Sequence, residues 1–219
     1  MRKALIACLL TAATAACTSE AYDSGDTGLS YLSTELADAT TNSNGLFAHA
    51  VTDGGQRLTL SPPYRAEHIT TTPDTTCRVL MYHGRVDGGT TDIKAIQSVL
   101  TTSIANRRDD ISPKKDPVGK VRAWVSANKK YLNMVVTLKV GRQDGAPTQQ
   151  SVGLLRDSVT TLADGKRCHW ISLIHNQNGM PEYYSQEAYM SVPMSQLGDD
   201  AHIRLRAKTY DGESLLEVR

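Results

Sequence analysis

Apolar and polar residues alternate one by one along much of this chain. That period of two marks extended strands with one buried and one solvated face. It predicts strands over Arg78 to Val86, Lys120 to Ser126, Tyr131 to Val140 and His202 to Tyr210. In the third of these, Leu132, Met134, Val136, Leu138 and Val140 share a face. In the fourth, Ile203, Leu205 and Ala207 point inward while His202, Arg204, Arg206 and Lys208 point outward. The run from Arg167 to Leu197 predicts two long strands joined through Asn178-Gly179, a pair that tolerates the positive φ of tight hairpin turns. Before the turn, Ile171 and Leu173 oppose Trp170 and Ile174, so that strand is expected to be central and covered on both faces. After it, Tyr184, Ala188, Met190, Val192 and Met194 take one parity, and Tyr183, Ser185, Glu187, Tyr189 and Ser191 the other.

Asn-Gly or Asp-Gly pairs begin at Asn44, Asp53, Asp87, Asp144, Asp164, Asn178 and Asp211, each near a break between alternating segments. Such regular punctuation predicts a mostly β protein. One segment reads two ways. Ile93, Ile96, Leu100 and Ile104 recur at helical steps, yet the Thr and Val content of Asp92 to Ala105 favours extended chain. The polar run Asn106 to Pro117 is the natural boundary between two units.

Three runs carry a resemblance: TCRVLMYHGRVDGGTTDIKAI (Thr76 to Ile96), KKYLNMVVTLKV (Lys129 to Val140) and LIHNQNGMPEYYSQEAYMSVPMSQL (to Leu197). In this order they are similar to successive blocks of the NigD-like lipoproteins of gut Bacteroidetes. The resemblance covers most of the chain after about Gly45 and consists of strand patterns. It implies an N-terminal OB-type small barrel followed by an antiparallel β-sandwich. The family takes its name from an operon associated with bacteriocin production, and it has no settled biochemical activity. The expected organisation is a signal peptide at 1–16, a lipid-anchored flexible acidic tether at 17–44, an OB-like domain at 45–112 and a sandwich at 113–219.

The first residues support the export expectation. Arg2-Lys3 precede an apolar stretch to about Ala16 and then Cys17, a pattern of signal peptides and far too short to span a bilayer. Thr14-Ala15-Ala16-Cys17 resembles a lipobox, in which Cys17 would become the acylated N-terminus. Thr14 departs from the bulky aliphatic residue usual at that position, and an ordinary cut after Ala15 would leave a secreted protein instead. From Thr18 to Gln56 there is no Lys or Arg, and the Ser-, Thr- and Gly-rich part to Asn44 is too poor in large apolar residues to offset the entropy of ordering. An outer-membrane lipoprotein facing the periplasm or the cell surface is the expected location.

Loss of the signal leaves 22 basic against 23 acidic residues, a net of −1 with histidines neutral. That balance gives no electrostatic reason to expect nucleic acid. With Cys8 removed and Cys17 acylated, Cys77 and Cys168 remain as an even pair in an exported setting. They would either form a bridge between the two units or serve as two small apolar side chains. His169 and His175 share a parity but lie six residues apart, too far along one strand to grip one ion, so no metal is expected and no cofactor motif is present.

No Gly-x-Ser-x-Gly elbow occurs, and nothing selects a convergent pair among Glu182, Glu187, Asp199, Asp200 and Glu213. The reading is therefore non-enzymatic. Trp124 lies on the polar side of its strand, as Tyr183 and Tyr189 do on theirs. These aromatics could stack on a sugar ring or fill a domain interface. The expected partners are the membrane, through the lipid, and an envelope protein; a glycan and a secreted toxin are the alternatives.

Overall fold

The computed structural model describes residues 32–218 apart from 70, 109–111, 143, 146–148 and 199. The signal peptide, Cys17 and residues 17–31 of the tether lie outside the described residues.

The first six strands are β1 (Ser33–Thr41), β2 (Phe47–Thr52), β3 (Arg57–Tyr64), β4 (Thr76–His83), β5 (Thr90–Thr91) and β6 (Ile93–Ser98). They form one sheet in the order β5-β3-β2-β1-β4-β6. Because β5 and β6 are consecutive on the chain, the segment 90–98 joins both edges and curls the sheet into a half-barrel. Its concave side is filled by Phe47, Leu58, Leu60, Val79 and Met81.

Residues 33–41 correct the expectation of a tether through residue 44: they form β1, a central strand paired with both β2 and β4. Its inward side chains are small. Ala37 and Ala39 are fully buried under their larger neighbours, so a segment that looks too poor in bulky residues is ordered by the strands on either side.

The remaining strands are β7 (Leu100–Thr101), β8 (Ile104–Asn106), β9 (Val121–Val125), β10 (Tyr131–Val140), β11 (Ser151–Thr161), β12 (Arg167–Asn176), β13 (Tyr184–Pro193), β14 (His202–Thr209) and β15 (Gly212–Val218). They make two facing sheets, β7-β13-β10-β9 and β15-β14-β12-β11-β8. Leu132, Met134, Val136 and Leu138 of β10 meet Ile171 and Leu173 of β12 and Ile203 and Leu205 of β14 in one core. Full burial of each such side chain contributes about 1.5–3 kcal/mol. The segment open between helix and strand is extended as β6, β7 and β8, and it carries the chain from the half-barrel into both sandwich sheets. The sandwich thus draws in residues ahead of the expected boundary at 112/113.

The strands on either side of Asn178-Gly179 are present, but they are not partners. β12 pairs with β11 and β14, whereas β13 pairs with β10 and β7 in the opposite sheet. Asn178 (φ 53°) and Gly179 (φ 71°) make the tight turn as read, closed by Met180 N–H donating to Gln177 C=O at 3.0 Å. The turn is therefore an arch between layers. β13 then serves as the crossover that lets β12 and β14 lie side by side in parallel.

Cys77 and Cys168 are both free thiols, so of the two alternatives the structure has the unpaired side chains and not the bridge. Cys77 packs against the half-barrel core, while Cys168 is buried on β12 in the far sheet of the sandwich.

Candidate functional site

The two β units meet on the outer face of the sheet that contains β10 and β13. The register sets side chains there in rows: Trp124, Asn133 and Ser191, then Arg122, Val135 and Tyr189, then Thr137 and Glu187. The half-barrel covers Asn133 and Ser191 of the first row, which are polar yet wholly buried, and leaves Trp124 at the end of that row exposed.

Buried polar groups need partners, and Arg78 of β4 provides them. Its Nη2 donates to both oxygens of Asp53, at 2.7 and 2.8 Å, and to Asn133 Oδ1 at 3.1 Å. Nε donates to Ser191 Oγ at 3.2 Å, and Nη1 lies 3.4 Å from Asp38 Oδ1. Asn133 Nδ2 donates back to Asp53 at 2.7 Å, and Ser191 Oγ donates to Asn133 Oδ1 at 2.8 Å. The guanidinium also lies over the Tyr131 ring, 4.1 Å from its centroid. Burial, reinforced by the Asp38 carboxylate, pushes the Tyr131 hydroxyl above its ordinary pKa. Leu36, Leu80 and Val99 add an apolar contact beside this network, with Tyr82 and Tyr189 against it.

Beyond the covered row the junction opens into a groove of about 380 Å³, walled by Glu35, Leu36, Leu80, Arg122, Trp124 and Tyr189. Two acids at the junction are matched by arginines: Asp53 is held by Arg78, and Glu187, next to the groove, lies 3.0 Å from Arg122. Glu35 Oε2 lies 3.7 Å from His83 Nε2, and neither atom has a hydrogen-bond partner. Tyr189 donates to Glu187 at 3.0 Å, and burial followed by that bond raises its pKa. A second groove of about 660 Å³ shares Tyr189 and runs between the β6–β7 segment and β13. Uncharged groups dominate it, among them Gln97, Ser98, Thr101, Gln150 and Gln186.

The profile of the NigD-like C-terminal beta sandwich domain matches residues 100–219. The chain belongs to the NigD-like family. Among solved structures, the NigD-like chain is similar to a NigD-like immunity protein from Bacteroides caccae, with 28% identity and a TM-score of 0.65 over 84% of this chain and 90% of that one. It shares its fold with a protein of unknown function from Bacteroides vulgatus (15% identity, TM-score 0.64, 85% and 89% covered). The same holds for a candidate lipoprotein from Bacteroides fragilis (11% identity, TM-score 0.61, 86% and 97% covered). No curated protein matches the chain.

Of the aromatic residues singled out in the sequence, this NigD-like structure brings Trp124 and Tyr189 to one groove. Tyr183 stands apart, 65% exposed beside Gly141 at the start of β13. His175 is engaged by Gln150 Oε1 at 2.7 Å, and His169 is buried in the sandwich, where burial first and Arg156 next hold its pKa below the usual histidine value. Sequence reasoning missed Arg78 and Asn133. Both lie in the strand runs already identified, and a polar residue at a position flanked by apolar neighbours, as Asn133 is by Leu132 and Met134, was the available signal.

Proposed function

We propose that this chain is a non-enzymatic, lipid-anchored protein of the cell envelope that holds a protein partner at the junction of its two β units. The observation that carries the reading is the state of the junction's charged groups. Asp53 and Glu187 are each paired with an arginine of the same chain, which suits a fixed binding surface more than acid–base work. The buried Arg78 network supports a rigid presentation of that surface. The strand order, with β1 between β2 and β4 and the 90–98 segment joining β3 to β4, supports reading the half-barrel as OB-type. Lipid on Cys17 would set the protein on the outer membrane. The Bacteroides caccae relative is described as an immunity protein, and an immunity role here would be one form of this binding, with a secreted toxin as the partner.

The test is mass spectrometry of what copurifies with the tagged full-length chain from its own membranes, beside Cys17→Ala. A stoichiometric partner with the lipidated wild type, lost in the variant, is the expected result. A wild type that comes out alone after crosslinking and gentle solubilisation overturns partner binding, and an unlipidated one overturns the anchor.

The junction groove also favours a second reading, glycan binding, because Trp124 and Tyr189 share it. Neutral polysaccharides should then quench tryptophan fluorescence in the wild type and leave Trp124→Ala unchanged. A flat response across a broad panel removes this reading.

A further inference from the structure

β13 pairs with β10 along its whole length, from Tyr184 to Pro193. On its other side, β7 covers only Met190 and Ser191. From Tyr184 to Tyr189 that edge has no strand partner among the described residues. The direction of its backbone groups follows from the ladder. Thr102 N–H donates to Ser191 C=O at 3.1 Å, so Ser191 faces away from β10. Met194 N–H donates to Lys130 C=O at 2.8 Å, so the even parity faces toward β10. Ser185, Glu187 and Tyr189 have the parity of Ser191. Each therefore aims its N–H and C=O out of the sheet edge, and Glu187 and Tyr189 line the 660 Å³ groove beside it.

We propose that this edge binds an extended, uncharged segment of the partner's polypeptide as an added strand beside Tyr184–Tyr189. The inference rests on the protein-partner reading and assigns its site. Three observations select the occupant. Outward N–H and C=O groups at every second residue, over roughly 20 Å, match the repeat of an extended peptide. The chain already demonstrates the pairing, since β7 occupies the next positions of the same edge in parallel register and then ends the ladder where β6 departs for the half-barrel. The groove is neutral: its walls mix glutamine, serine, threonine and tyrosine with apolar residues such as Leu100, Leu138 and Val140, and Glu187 is matched by Arg122.

Several other edges carry features that discourage pairing. β3 has Pro62-Pro63, β6 has Lys94, β11 has a bulge between Arg156 and Ser158, and β15 has Glu213 and Glu217. The open part of β13 has no proline, no lysine and no bulge, and its one charged residue, Glu187, is matched by Arg122.

The experiment uses short random peptides displayed on phage, selected against the full chain and then synthesised. Selected peptides should be poor in charge and should slow amide hydrogen exchange at Ser185, Glu187 and Tyr189. N-methylation at alternate peptide positions should abolish binding in one register and spare it in the other, a readout made on the unaltered protein. Ser185→Pro removes an outward N–H without touching the β10 ladder and should weaken binding about tenfold, whereas Ser185→Ala should not. Peptides that bind without protecting these amides, or equally well in both N-methyl registers, overturn the proposal; so does protection of the same amides by neutral polysaccharide alone. A membrane partner that copurifies undiminished with Ser185→Pro leaves partner binding standing and removes this edge as its site. Failure of the wild type to retain any partner removes the underlying reading instead.

Discussion

Arg78 Nη2 and the Asp53 carboxylate meet at 2.7 and 2.8 Å, and the same guanidinium nitrogen reaches Asn133 of the sandwich at 3.1 Å. One cation therefore serves the half-barrel and the sandwich together. Asp53 follows β2, and its C=O also accepts from Asn128 N–H at 2.9 Å, so the turn after β2 docks on the turn between β9 and β10. Arg78→Met should lower stability by about 3–5 kcal/mol, because it leaves Asp53, Asn133 and Ser191 without their shared donor. Urea unfolding followed by circular dichroism checks this. Adding Asp53→Asn should recover part of the loss by removing the stranded carboxylate.

Arg122 and Glu187 lie 3.0 Å apart, a separation close to that of Arg78 and Asp53, and yet they should contribute far less. Their side chains are 65% and 45% exposed, so water and salt screen the pair. Glu187→Gln should cost less than about 1 kcal/mol, and the difference should shrink further in high salt.

Gly141 follows β10 where the chain passes beneath Pro181. A Cβ placed there would lie 2.7 Å from the Pro181 carbonyl oxygen and 2.9 Å from Tyr183 Cδ2. Gly141→Ala should therefore cost about 1–3 kcal/mol, since the obstacle is backbone. Gly153→Ala meets only the Ile174 side chain, at 3.3 Å, and should cost less in the same melt.

His169 links stability to pH. Burial, with Arg156 beside it, lowers its folded-state pKa below the usual 6.5. The unfolded chain therefore binds the proton first as pH falls below about 6.5, and stability declines from there down through the folded-state value. Denaturant melts of wild type at pH 7.5 and 5 should show that decline, and His169→Leu should show a smaller one.

Cys77 and Cys168 should both alkylate in denaturant without reductant, as free thiols. Under native conditions Cys168, 1% exposed, should resist the reagent, while the half-buried Cys77 reacts slowly. Intact mass before and after reduction checks the same point: a bridged chain would gain two hydrogens.

The strands and their faces are legible in the amino-acid order. The face Leu132 to Leu138 and the face Ile203 to Ala207 are buried as their alternation indicates, because side-chain direction along a strand is a local property with a period of two. The positive-φ turn at Asn178-Gly179 is legible too, since that is a matter of which residues tolerate the conformation. What the amino-acid order does not contain is which strand lies beside which. The turn that reads as a hairpin is an arch, because backbone hydrogen bonds carry no side-chain label and β13 satisfies them with β10 as well as it could with β12. For the same reason the core position of Ala37 and Ala39, and the separation of Cys77 and Cys168 into different sheets, emerge only once the strands are packed. Packing alone placed Asn133 and Ser191, polar residues on an outward face, beneath a second domain with an arginine to receive them. Burial of an outward face depends on what packs over it, and that partner lies 55 and 113 residues away along the chain.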